Sequence, residues 1–244
     1  GLSVPALAAD DMDASLRSLA DAWAKVYYQN PEDRQVPLYP PLLADAEKIA
    51  QAHPDRAEPL VWETIVLSSY ASAKGGLPAL DLAKKARDVA MAAAKRDAKA
   101  LDAGGLTAVG VLYYKVPGWP VGFGNDAKAK QYLEKALALA PDAMGSNFFY
   151  ADFLIQQGDK KAARVFLERA LKARTVSAEL TSQDQTVRGR RVHVMPVQRQ
   201  ATMVTRKLME AATEAMEKRA TMRSQRSMPA PWPGPAAGMA LRRW

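Results

Sequence analysis

The chain has 244 residues, 48% apolar, 25% charged and 7% aromatic, with no cysteine and two histidines. That length can bury an ordinary core, but it carries no disulfide framework, thiolate metal site or cysteine nucleophile, and leaves only His53 and His193 for imidazole chemistry. The formal charge of +8 is uneven: residues 185–244 hold twelve Lys and Arg against three Glu, so the preceding body is near-neutral and the surplus is no sign of a basic nucleic-acid-binding fold.

At the start, Ala6-Leu7-Ala8 is a small-x-small triplet followed by Asp10-Asp11. This is the pattern of the cleavage end of a secretory signal, and it marks residues 1–8 as a signal remnant and the protein as exported to a bacterial periplasm. The competing reading is an Ala-rich entry to the first helix. No run approaches the roughly 18 apolar residues that span a bilayer.

Residues 9–173 have almost no strand-like alternation; Ala and Leu recur at three- and four-residue spacing, which predicts an all-α body. Met12 to Tyr28 with Pro41 to His53, and Trp62 to Ala73 with Leu80 to Lys99, read as two helix pairs, the first closed by Pro54-Asp55. Asp126 to Leu139 carries one apolar stripe, Ala129, Leu133, Ala136 and Leu137, and stops before Pro141, which cannot continue a helix.

An internal repeat organises the second half. Gly124, Ala129, Leu133, Glu134, Ala136 and Leu137 recur as Gly158, Ala163, Leu167, Glu168, Ala170 and Leu171, each 34 residues on. That period, with small residues at those offsets, is the tetratricopeptide signature, in which Ala or Gly lets paired helices approach and a large residue fills the adjacent groove. The first helices of these pairs carry Val109, Gly110 and Tyr113, and Tyr150, Ala151 and Leu154. Gly110 to Gly124 is longer than Ala151 to Gly158, which places a seven-residue insertion in Lys115 to Phe123. Four hairpins stacked as a short solenoid follow.

After Ala173 the apolar period is lost. Residues 174–198 read as a polar linker with the basic run Arg188 to Arg191, and 199–224 as a C-terminal helix with Met203, Leu208, Met209, Ala212 and Met216, suited to capping the solenoid. Residues 225–244 read as an extended, basic, Pro- and Trp-containing tail ending Arg242-Arg243-Trp244.

Leu112-Tyr113-Tyr114-Lys115-Val116-Pro117-Gly118-Trp119-Pro120-Val121-Gly122-Phe123-Gly124, the helix with Ala127, Tyr132 and Leu133, and then Asn147 to Leu154 resemble bacterial periplasmic tetratricopeptide proteins related to the T component associated with TRAP transporters. The resemblance covers about Leu106 to Ala173, and its most specific part is the Pro-Gly-Trp-Pro-x-Gly-Phe-Gly insertion. It implies an all-helical fold, an exported location and protein partners, a solute-binding protein among them, without catalysis. The chain departs from it in lacking a lipobox cysteine and in its basic C-terminus.

Trp119 and Phe123 either project as a binding anchor or fold back to plug the repeat core; two large apolar side chains in water favour the plug. Gly122 to Ala127 matches an Ala-ending dinucleotide fingerprint, but with no strand before it the segment reads as a turn and helix N-cap, with Asn125 or Asp126 capping. His193 beside Met195 in a Met-rich segment suggests soft copper ligation, against which Met209 and Met216 are spaced as one packing face. No Ser-His-Asp order or phosphate loop occurs, so no catalytic residue, cofactor or metal is expected.

The expected function is a non-catalytic periplasmic scaffold contacting periplasmic or membrane-associated proteins through Tyr113, Trp119, Phe123 and Phe149. A further contact is expected from the tail, with Trp232 and Trp244 as anchors and Arg242 and Arg243 steering association. Nucleic acid is not an expected partner, membrane contact would be peripheral, and self-association is compatible with stacked hairpins. The second reading is an accessory of a TRAP-type uptake system with a ligand cavity bordered by Tyr113, Trp119 and Phe149.

Overall fold

Each segment of residues 9–173 with three- to four-residue apolar spacing is a helix in the computed structural model, which describes residues 5–187. Among these residues the α-helices are α1 (Pro5–Gln29), α2 (Glu32–Gln35), α3 (Tyr39–Ala52), α4 (Glu58–Lys74), α5 (Ala79–Arg96), α6 (Ala100–Lys115), α7 (Asp126–Leu139), α8 (Met144–Gln156) and α9 (Lys160–Val187). A 3-10 turn, Val36–Leu38, links α2 to α3. The four expected hairpins are present as α1/α3, α4/α5, α6/α7 and α8/α9, and α6 packs against both α4 and α8. The described body is an all-α, tetratricopeptide-like solenoid in which α4, α6 and α8 lie side by side.

Small residues set how closely the helices approach. Ala86, Ala90 and Ala93 of α5 and Ala129 and Ala136 of α7 are fully buried. A Cβ on Gly105 would stand 2.9 Å from the backbone nitrogen of Ala94, and one on Gly110 would stand 2.6 Å from Leu133 Cγ. The small-against-large pairing inferred from the repeat is therefore the contact that joins α6 to α7.

Two glycines matched by the 34-residue period do different work. Gly158 has φ +88° in the turn after α8, a left-handed conformation suited to glycine. Gly124 is required for proximity, since a Cβ there would lie 2.0 Å from the Val116 carbonyl oxygen. Within the first turn of α6, Leu101, Asp102 and Ala103 form a left-handed kink with φ of 46°, 56° and 59°. It keeps Ala100 and Ala103 buried while Leu101 and Asp102 face solvent.

The N-terminal hairpin is held by aromatic side chains. Trp23 stacks on Tyr27 at 5.2 Å, and its indole N–H donates to Ser69 Oγ of α4 at 2.9 Å. Tyr39 stacks on Tyr70 at 5.6 Å. Buried Gln35 donates to the carbonyls of Tyr27 (3.1 Å) and Asn30 (2.9 Å), which ties the α1–α3 connection down.

One boundary differs from expectation. The linker expected at 174–198 is helical as far as Val187, because 174–187 contains no proline or glycine to stop α9 once its apolar period is lost. Ala6-Leu7-Ala8, the signal-remnant triplet, forms part of the first turns of α1, with Pro5 in the first helical position. The C-terminal helix of 199–224, the tail of 225–244 with Trp232, Arg242, Arg243 and Trp244, and His193 with Met195 lie outside the described residues. By compactness the chain divides at Gln200 and Ala201, and the description concerns the first unit.

Candidate interaction surface

The insertion is a braced loop over residues 116–125. Proline at 117 ends α6, and the Val116 N–H is satisfied by the Leu112 carbonyl at 3.2 Å. The chain then turns on Val121 N–H and Gly122 N–H, both donating to Gly118 O at 3.1 Å, with Trp119–Pro120 a cis peptide. It returns through Gly124 N–H to Pro117 O (2.9 Å) and Asn125 N–H to Tyr113 O (2.8 Å), the second meeting a carbonyl of the last turn of α6. Gly118 and Gly124 form an isolated parallel bridge, and among the described residues no strand precedes Gly122 to Ala127. Asn125 is the α7 cap, its side chain accepting from Lys128 N–H at 2.9 Å, so the dinucleotide pattern is a turn and cap.

The loop separates the two aromatics that the sequence treats as a pair. Phe123 folds inward: its ring meets Tyr113 edge-on at 5.7 Å, and the Arg87 guanidinium lies over it at 4.5 Å. It packs against core residues of α5, α6 and α7 together. Trp119 is 90% exposed and Val121 53% exposed. The plug expectation thus describes Phe123, and projection describes Trp119.

Tyr113 is 6% exposed, stacked on Tyr132 at 5.8 Å with the Lys128 ammonium 5.5 Å from its ring. Phe149 is half-buried, edge-on to Phe148 at 5.3 Å. Tyr113 is therefore a core side chain that joins Phe123, while Trp119 stands apart in solvent. The three residues proposed to border a ligand cavity do not form one wall.

The face that sequence reasoning missed runs along α4, α6 and α8. In each helix a buried small residue, Ala71, Gly110 or Ala151, is followed by an exposed or half-exposed one, Ser72, Val111 or Asp152. A polar cluster ties α6 to α8 at this face. Asp152 Oδ2 accepts from Tyr114 O–H at 2.7 Å and pairs with Lys115 Nζ at 2.7 Å, with side-chain exposures of 20% for Asp152 and 47% for Lys115. Burial, then the charge and hydrogen bond of Asp152, hold the Tyr114 phenol well above its ordinary range, so it stays a donor. The signal in the sequence was the residue after each small position, which the packing argument left unused.

Beside this face, Tyr150 O–H donates to Glu134 Oε1 at 3.1 Å, and its phenol is pushed up to about 12 by burial and by Glu134. Among the described residues no cluster of His, Asp or Glu is arranged to hold a metal ion, and no helix is long and apolar enough to cross a membrane.

A comparison with curated proteins returns no match. Residues 123–181, from the end of the braced loop through α7, α8 and most of α9, match the model of the tetratricopeptide repeat family.

Proposed function

We propose that the protein is an exported, non-catalytic scaffold that docks other proteins along the α4–α6–α8 face. The observation that carries this reading is that Ser72, Val111 and Asp152 sit on three helices packed side by side, Ser72 exposed and Val111 and Asp152 half-buried. Tetratricopeptide repeats are interaction modules whose stacked hairpins offer extended surfaces. The row mixes a hydroxyl, an aliphatic group and a carboxylate, which suits a polypeptide better than a small apolar ligand. Export is supported by the small-x-small triplet Ala6-Leu7-Ala8. The partner named by the TRAP resemblance, a solute-binding protein, is the first to test.

Affinity isolation from native cells, after fractionation of the periplasm, tests both parts. Partners retained by the wild-type protein should be lost on Ser72→Arg and on Val111→Arg, with the helical signal unchanged. Retention by both variants, or recovery of the protein from the cytoplasm alone, would contradict the reading.

A further inference from the structure

Three turns meet at one end of the solenoid: the α4–α5 turn, the 116–125 loop and the α8–α9 turn. Leu80, just inside α5, lies 3.4 Å from where a Cβ on Gly122 would stand, and Gln157 Nε2 donates to Asp126 Oδ2 at 2.9 Å. The three most exposed large apolar side chains among the described residues, Trp119 (90%), Leu77 (72%) and Val121 (53%), all sit there. Trp119 is not free to fold back, because the loop that carries it is closed by its own backbone hydrogen bonds and by the inward-packed Phe123.

The charge at this end is weighted toward cations. Of its carboxylates, Asp81 is paired with Lys84 and Asp152 with Lys115, while Asp126 and Asp159 keep their charge and accept from Gln157 and from the Ala162 N–H of α9. Exposed Lys74, Lys128, Lys160 and Lys161 surround the turns. An indole and two aliphatic side chains protruding from a ring of lysines form a small convex tip. It matches a lipid interface, where Trp sits at the headgroup level and each nearby lysine favours an anionic surface.

We propose that this end is a peripheral membrane-contact edge, with Trp119 and Val121 entering the headgroup region of an anionic bilayer. The proposal is independent of the protein-docking face on α4, α6 and α8. It places that face beside a membrane and leaves the basic segment after residue 184 as a second, separate attraction.

The absence of native cysteine allows a unique label. The full chain carrying an environment-sensitive fluorophore at Val121→Cys is mixed with vesicles of phosphatidylglycerol and phosphatidylethanolamine, or of phosphatidylcholine alone. A control label sits at Leu139→Cys, at the other end of α7. On the anionic vesicles the 121 label should shift to the blue and be quenched by lipid-borne quenchers, while the 139 label is unchanged. Trp119→Ala in the same background should weaken partitioning about tenfold, since an exposed indole contributes only where it leaves water. Thermal unfolding of that variant confirms that the fold is intact. Vesicle binding with the 121 label still in water would assign attachment to the basic segment alone and overturn the proposal. So would equal responses at 121 and 139, or no binding at all, the last leaving Trp119 to a protein partner.

Discussion

One methyl group separates tolerated from disruptive change at the glycines of this chain. Gly110→Ala drives a Cβ into Leu133 and should cost about 1–3 kcal/mol in urea denaturation, the range of core overpacking. Gly145→Ala, with nothing within 4 Å of the new atom, should instead be neutral or stabilise by up to about 1 kcal/mol through helix propensity. Phe123 and Trp119 divide the same way. Phe123→Ala removes a ring shared by three helices and should cost about 2–4 kcal/mol, whereas Trp119→Ala should stay within about 0.5 kcal/mol of wild type. The sequence could not separate these two residues, since each lies between glycines and prolines. The choice is made by Tyr113 and by Arg87, which arrives from another helix. A cap for α7 at Asn125 or Asp126 and Leu133 as the groove filler were legible, because each depends on neighbours a few residues away.

At the level of elements, α7 was legible end to end because its stripe, its cap and Pro141 agree. The end of α9 was not, because loss of an apolar face removes a packing partner without supplying a stop signal. The left-handed turn at Leu101 to Ala103 was also invisible: nothing local demands positive φ of leucine, and burial of Ala100 and Ala103 decides it. Each such residue costs about 1–2 kcal/mol. Leu101→Gly should therefore stabilise the fold by about 0.5–1 kcal/mol after the added unfolded-state entropy, measured as a higher urea midpoint. The α1/α3 hairpin offers a titration. Burial of Tyr39 pushes its phenol from 10.0 up to about 12. Below about pH 10 both states keep the proton and stability is unaffected; between there and about 12 only the unfolded chain loses it, so stability falls as pH rises. Urea midpoints at about pH 9 and pH 11 should differ more in the wild type than in Tyr39→Phe.

Across the whole molecule, the charge of +8 resolves into a near-neutral helical body and a strongly basic segment after residue 184. The body supplies stacked hairpins, a partly exposed row on α4, α6 and α8, and a braced tip at one end. Period and small-residue offsets were enough to read the stacking from the sequence. Which face stays open was not readable, because it follows from α4, α6 and α8 packing on one another across long separations. The tail reading is tested at this scale: deletion of 225–244 should weaken partner retention if Trp232 and Trp244 are anchors, and unchanged retention would remove the tail from the account. The central claim, that the α4–α6–α8 face is where partners dock, is tested most directly by photo-crosslinking in native cells. A crosslinking residue at Val111 should yield a discrete protein adduct that Ser72→Arg abolishes, while one at Lys135 on the exposed side of α7 yields none. Adducts at Lys135 with none at Val111 would contradict it.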